Sequence, residues 1–288
     1  MTRERYTPTS RRAVLGAIGA ASVSGLIGTA TAEPGRGEGF PPPGRTQYTD
    51  PEPLGDGEVK AFFTDHPQNK WQYIGMELTA EAATISETEY GKSLLVDIDF
   101  PGATEFEWLG LNWMPGGHGP PEVYGAPHFD IHFYLDTQEK IGAIDGVNFP
   151  PDENNDPYDV EIPDDQFPPG YFRTEYVVPE MGEHLYDLNA PEWEETEDGV
   201  PIPSGEEFTH TFVWGHWDGN LNFFEPMITT EFFENLTDTI VSPISMPERL
   251  PGPGSYPTSY QVAYHQNRDT YTVTLKTFES FDESEEAN

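Results

Sequence analysis

Three histidines within 15 residues, His118, His128 and His132, form the densest group of potential metal ligands in the chain, with Asp130 between the last two. In an extended strand, residues 128, 130 and 132 project to one face, and the intervening Phe-Ile-Phe side chains project to the other. The alternation predicts a polar face that carries chemistry and an apolar face that packs on a core. A strand would hold the Cα atoms of His128 and His132 roughly 13 Å apart, a long span for two imidazoles on one ion. Three arrangements are open: Asp130 shares an ion with one histidine, a bulge shortens the span, or Asp130 orients a histidine.

Two more distant groups could complete such a site. The segment PEMGEH at residues 179–184 presents two carboxylates and His184 in what reads as a turn. Glu225 lies within the apolar run FFEPMI at residues 223–228. A carboxylate in that company has to be paired, bound to a metal or protonated if it is buried.

These residues predict a divalent transition metal bound by His128, His132 and His184, with His118 as a competing ligand. Asp130 would orient a metal-binding histidine or bind the ion itself. Glu225 would contact a ligand without binding the ion, or act as a general base. Imidazole and carboxylate ligands without sulfur favour zinc, and they also suit iron, manganese or copper. An open coordination position would activate water for hydrolytic or hydration chemistry, whereas a closed shell would make the ion structural. The residues leave both alternatives standing, so they do not decide whether the protein is an enzyme.

Two other functions compete with metal binding. The chain has six Trp, 14 Tyr and 18 Phe, which suit a non-catalytic surface module that binds a small molecule or assembles with its own copies as a homo-oligomer. In the other alternative, a metal-independent enzyme uses the same His, Asp and Glu residues as acid and base. Loss of a stoichiometric metal on substitution of His128 or His132 would separate these alternatives from the first.

The elements that must position these residues are mainly β-strands. Short runs rich in Val, Ile, Tyr, Phe, Trp and Thr are separated by 29 prolines and 28 glycines, a pattern typical of strands and turns. The sequence predicts a single domain that is an antiparallel β-sandwich or barrel-like, with short peripheral helices. Strands are expected within residues 92–100, 127–135 and 208–217, a hairpin at residues 260–278, and helices at residues 80–89 and 229–235.

The sequences at both ends of the chain predict segments that lie outside this domain. Residues 1–32 hold a twin-arginine pair, a weakly apolar run and an Ala-x-Ala site, as in a cleaved twin-arginine signal peptide. We therefore expect export to the cell surface or medium, and no membrane span after cleavage. Residues 33–46 are rich in Pro and Gly and are expected to be a linker. The domain is expected at residues 47–278, followed by an acidic disordered tail at residues 279–288.

The charge balance excludes one class of partner. With 51 acidic against 14 basic residues, the formal net charge is -37. Such a surface repels nucleic-acid phosphates, so no DNA or RNA partner is expected. Acidic residues in this excess are typical of proteins that stay dispersed in concentrated salt, where ions screen the self-repulsion. The chain has no cysteine, which leaves His and carboxylate as its metal ligands.

Several motifs together resemble the TTHB210-like (DUF5602) family of exported proteins, over roughly residues 55–278. The most specific are NWMPGGHGPP at 112–121 and PHFDIHFY at 127–134, with PEMGEH at 179–184, GHWDG at 215–219, EPMIT at 225–229 and YPTSY at 256–260. The family has no settled activity to carry over. What the resemblance implies is that His118, His128, Asp130, His132, His184 and Glu225 belong to one recurring pattern.

Overall fold

The computed structural model describes residues 40–66, 71–85, 94–99, 104–144 and 160–281. The predicted signal peptide, the first part of the predicted linker and most of the predicted acidic tail lie outside these residues. Everything described belongs to one compact unit that spans Pro34–Asn288.

Strands that alternate apolar and polar residues form two antiparallel sheets of seven strands each. Sheet I has the order β1-β3-β4-β16-β15-β14, and β2 pairs with β3. Its strands are β1 (Thr46–Tyr48), β2 (Glu52–Leu54), β3 (Gly57–His66), β4 (Trp71–Thr79), β14 (Ile240–Pro243), β15 (Gly254–His265) and β16 (Thr270–Phe281).

Sheet II has the order β5-β6-β7-β13-β12-β9-β8. Its strands are β5 (Leu94–Asp99), β6 (Trp108–Met114), β7 (His128–Tyr134), β8 (Tyr171–Val178), β9 (Gly182–Asp187), β12 (His210–Trp217) and β13 (Asn220–Thr229). A separate pair is made by β10 (Trp193–Glu195) and β11 (Pro201–Pro203). Neither large sheet closes on itself, so the architecture is that of a sandwich rather than a barrel.

The main core lies between the sheets. One buried cluster takes Val59, Ile74 and Val273 from sheet I and Leu111 and Ile131 from sheet II. Removing an aliphatic side chain of this kind from water stabilises the fold by about 1.5–3 kcal/mol. Because side chains alternate along a strand, residues 128, 130 and 132 of β7 must project from the other face of sheet II, as the sequence predicts.

The helices are short and lie at strand ends: α1 (Ala80–Ala83), α2 (Pro121–Tyr124), α3 (Gln138–Gly142), α4 (Thr230–Asn235) and one 3-10 turn (Asp164–Gln166). Thr79, Thr137 and Thr229 cap three of them by accepting a backbone N–H with the side-chain oxygen. No described helix has the length and apolar character needed to cross a bilayer.

The mainly β fold with short helices is confirmed. Both predicted helices begin within a residue of their expected positions, but the first was predicted too long, since α1 ends at Ala83 with Thr84 as its C-cap. The hairpin β15–β16 turns at residues 266–269 as expected. Structure extends beyond the predicted domain limits at both ends. Phe40 is buried against Phe62 and Tyr73, and β16 continues to Phe281.

Candidate metal centre

The outward face of sheet II carries two groups of three side chains that could each hold a metal ion. The first, here called the outer cluster, is His118, His128 and Asp130. The second, here called the inner cluster, is His132, His184 and Glu225. Within each cluster the three potential ligand atoms lie within 4.8 Å of one another. Each therefore offers two imidazoles and one carboxylate.

The outer cluster combines one strand with one loop. His128 and Asp130 are two residues apart on β7, and His118 comes from the turn after β6. Gly117 folds this turn back: its φ is +65°, and a side chain there would overlap the carbonyl of Tyr124. The backbone N–H of His118 donates to that same carbonyl at 3.0 Å, which fixes the histidine above the strand.

Backbone carbonyls set the tautomers of both outer histidines. The Nδ1 of His118 lies 2.9 Å from the carbonyl of Gly119, and the Nδ1 of His128 lies 2.6 Å from that of Ala126. A carbonyl only accepts, so each Nδ1 carries the proton, and in a neutral ring each Nε2 then presents a lone pair. Both Nε2 atoms face Asp130, at 3.6 Å from His118 and 3.0 Å from His128.

The inner cluster draws one residue from each of three strands. The register that pairs Phe224 with Phe133 sets Glu225 of β13 across from His132 of β7. His184 of β9 pairs with a glycine of β12, Gly215, which has no side chain to separate His184 from β13. The Nε2 atoms of His132 and His184 lie 3.3 and 3.5 Å from the two carboxylate oxygens of Glu225.

Aromatic rings enclose the inner cluster. The ring of Phe223 lies over Gly215, where any Cβ would overlap it, and its centroid is 4.8 Å from that of His132 and 5.1 Å from that of His184. Tyr134 stacks on His132 at 5.4 Å. Glu225 is 0% exposed and neither of its carboxylate oxygens has a hydrogen-bond partner. Leaving such groups unsatisfied costs at least about 1–3 kcal/mol each.

The two carboxylates are shifted in opposite directions. Burial would raise the pKa of Asp130, but His128 and His118 outweigh it and hold that pKa well below its usual range. Burial raises the pKa of Glu225 well above its ordinary value, and the charge on Asp130 raises it further. The protonated form is thus disfavoured for Asp130 and favoured for Glu225.

The histidines also differ between the clusters. Burial lowers the pKa of His132 to about 4 and that of His184 to about 3. Burial acts in the same direction on His118, but its hydrogen bond and charge interaction with Asp130 hold the pKa of His118 above its ordinary value. A neutral imidazole is the form that binds a metal, and the inner histidines are held in that form.

All six residues singled out from the sequence lie in these clusters, but not as one site. His128 and His132, predicted to share an ion with His184, fall in different clusters. The reason is the strand span: four residues of β7 separate their Cα atoms by roughly 13 Å. Asp130 sits among the ligand atoms of the outer cluster and Glu225 among those of the inner cluster, rather than behind one common set.

Sequence reasoning missed Asn112, which is buried on the same face. Asn112 of β6 pairs directly with Asp130, and its Oδ1 is buried without a hydrogen-bond partner. Asn112 lies between Leu111 and Trp113 in an apolar strand. Nothing in that segment places it beside Asp130 until the register of β6 against β7 is known. His216, by contrast, joins a separate group in which its Nδ1 and Arg173 contact Glu183.

Comparison of the chain with protein-family models, with curated proteins and with solved structures finds no match. The resemblance to the TTHB210-like family therefore stays a prediction from the motifs.

Proposed function

We propose that the protein binds a divalent transition metal, zinc being the best match, through His132, His184 and Glu225. One observation carries the proposal: a fully buried carboxylate without hydrogen bonds lies between the Nε2 atoms of two histidines. An ion there would supply the opposite charge that Glu225 needs in order to stay ionised while buried, instead of taking up a proton.

The donor set agrees with this choice of ion. Two imidazoles and one carboxylate are a common zinc set, and iron, manganese and copper accept the same atoms. When bound, the ion would supply a fixed positive charge that holds the three strands together.

The enclosure of the inner cluster favours a structural role for its ion. Phe223 and Tyr134 cover the histidines, and Glu225 and His132 have no exposed surface. Substrates would find no approach to an ion at that position. We therefore propose that this ion stabilises sheet II and takes no part in a reaction.

We also propose, on the basis of its sequence, that the protein is exported. A twin-arginine signal at residues 1–32 serves passengers that fold before transport. A domain that takes up its metal inside the cell has a reason to use that route. The acidic composition supports a salt-rich destination.

The test is elemental analysis of tag-free protein recovered from the medium or cell surface, with the mass of its N-terminus read from the same sample. We expect bound transition metal and a chain that starts at residue 33. Glu225→Gln, which keeps the shape and removes the charge, should lose one equivalent of metal. His184→Asn, at the more exposed side of the cluster, serves as a second variant if the first does not fold.

The matched control is Glu192→Gln, because Glu192 is also a buried carboxylate but lies outside both clusters. It should keep the full metal content. Folded wild-type protein without metal, or a folded Glu225→Gln protein with undiminished metal, would overturn the proposal.

A further inference from the structure

We infer that the outer cluster is a second, separate metal site, whose ion exchanges with solvent and keeps coordination positions open for water or a small anion. The inference deepens the proposed function, since both concern metal ions. It rests on a different set of ligands, however, and does not require an ion in the inner cluster.

The orientation of the outer histidines calls for a cation. The two Nε2 atoms face the same carboxylate of Asp130, at 3.6 Å for His118 and 3.0 Å for His128, so each contact needs either a proton on Nε2 or a cation between the two atoms. Of these atoms, the Nε2 of His128 and the Oδ1 of Asp130 are buried without a hydrogen-bond partner. Hydrogen bonds from both histidines to Asp130 would need a proton on each Nε2, and so two imidazolium rings beside one carboxylate. A metal ion can accept all three lone pairs at once.

The outer cluster is more open to solvent than the inner one, whose most exposed ligand, His184, has a side chain that is 9% exposed. The side chain of His118 is 23% exposed, whereas that of Glu225 is 0% exposed. His118 also lies on a turn rather than on a strand, so it can yield without breaking the sheet. An ion held partly by this residue can leave and return by displacing one turn.

Three protein ligands leave at least one position of a divalent ion unfilled. Asn112 stands beside it: side chains that pair directly across antiparallel strands have Cβ atoms about 5 Å apart, and Asn112 pairs with Asp130. Its free Oδ1 can accept a hydrogen bond from water on the ion. We assign Asn112 as a positioning residue for that water.

Charge decides which other ligands suit the open position. Two neutral imidazoles and one carboxylate leave a divalent ion with a net charge of +1. In a chain of net charge -37, this is a local positive site, and it favours a small anion such as a carboxylate over a neutral molecule. The ligand class is therefore water or a small monoanion.

The experiment uses full-length protein loaded with cobalt(II), whose visible absorption reports its ligands, and azide as the anionic probe. We expect two equivalents of cobalt, and a change in the visible spectrum on addition of azide. Asp130→Asn should lose one equivalent and the azide response together. Asn112→Leu should keep both equivalents and bind azide about tenfold more tightly, because the water that competes for the open position loses its hydrogen bond to Oδ1.

Glu225→Gln separates this inference from the proposed function. It should lose the inner ion and retain the azide response of the outer one. A cobalt protein whose spectrum ignores azide, or an Asp130→Asn protein that keeps two equivalents, would overturn the inference and leave the inner site unaffected. If Asp130→Asn does not fold, His118→Ala on the exposed turn replaces it, with the same expectation.

Discussion

The outer and inner clusters offer the same ligands, two imidazoles and one carboxylate, but they are built in different ways. The outer cluster takes two residues from one strand and a third from a nearby turn, all within residues 118–130. The inner cluster needs β7, β9 and β13, which are far apart in sequence and meet only in the folded sheet. One donor set can thus arise locally or only through tertiary structure.

Burial makes the two clusters chemically different. Asp130 has its pKa lowered by two histidines, while burial raises the pKa of Glu225. The outer cluster keeps a partly exposed histidine, and Phe223 and Tyr134 cover the inner cluster. The comparison teaches that the surroundings, rather than the ligands alone, distinguish the two clusters, and they are the reason we propose a structural role for an inner ion and exchange for an outer one.

The largest expected difference between the clusters is in thermal stability. A ligand present at about 1,000 times its dissociation constant stabilises the folded state by about 4 kcal/mol, and in a domain of this size 1 kcal/mol shifts Tm by about 2–4 °C. Glu225→Gln should therefore lower Tm by about 10 °C, and Asp130→Asn by less than about 3 °C. Calorimetry of metal-loaded proteins measures both, and an equal or larger loss in Asp130→Asn would break the comparison.

An intermediate effect is expected from Gly215→Ala. The added Cβ would overlap the ring of Phe223, which would press on His132 and His184 but touch no outer ligand. We expect a loss of about 1–3 kcal/mol in the free energy of unfolding, as overpacking usually costs. The inner ion should bind at least tenfold more weakly, with the outer ion unchanged, as competition with a chelator would measure.

Gly142→Ala in α3 is the control for this substitution, because a Cβ there meets no atom within 4 Å. Its free energy of unfolding should equal or exceed that of the wild type by up to about 1 kcal/mol, because alanine favours the helix, and its metal content should match the wild type. If Gly215→Ala weakened the outer ion as much as the inner one, the two clusters would not be separate sites.

The face of β7 that carries the clusters could be predicted from the sequence. An ion shared by Asp130 and only one of the two histidines was among the arrangements left open, but the residues that complete each cluster could not be predicted. Alternation along residues 128–133 fixes which side chains share a face, because that depends only on the strand itself. His184 reaches Glu225 because β9 pairs with β12 at Gly215, and such long-range pairing leaves no local trace. Asn112 stayed hidden for the same reason, since only the register of β6 places it beside Asp130.

The mainly β fold was the easier prediction. Turn-forming residues end the strands at positions that the sequence displays directly, as Asn267 and Asp269 do at the β15–β16 hairpin. The order of strands in sheet II depends on tertiary structure. In the sheet β13 lies directly beside β7, although β8 and β9 separate β7 from β13 in the chain. This order, rather than any motif, brings Glu225 to His132.

The smallest effect on stability is expected from a substitution of His265 in sheet I. This substitution distinguishes a loss of stability in acid from a loss of metal. His265 contacts Thr272 through Nε2 at 2.9 Å and stacks on Phe40, and burial lowers its pKa to about 4. Its unfolded pKa is about 6.5. Between pH 4 and pH 6.5, His265 binds more protons in the unfolded chain than in the folded one. The contribution of neutral His265 to stability is therefore present above pH 6.5 and is lost as the pH falls towards 4.

His265→Gln should therefore lose less stability than the wild type between pH 7 and pH 5. Urea unfolding midpoints at the two values measure the difference, and the metal content at pH 7 should equal that of the wild type. A variant with an unchanged pH dependence would show that His265 does not contribute to acid sensitivity.

The three-strand origin of the inner cluster has a mechanical consequence for a chain without cysteine. An ion shared by β7, β9 and β13 would act as a cross-link, tying together segments separated by about 50 and 40 residues, much as a disulfide closes a long loop. Unlike a disulfide, it would need no oxidant to form and would be indifferent to reductants. Pulling any one of those strands away would first require the ion to be given up.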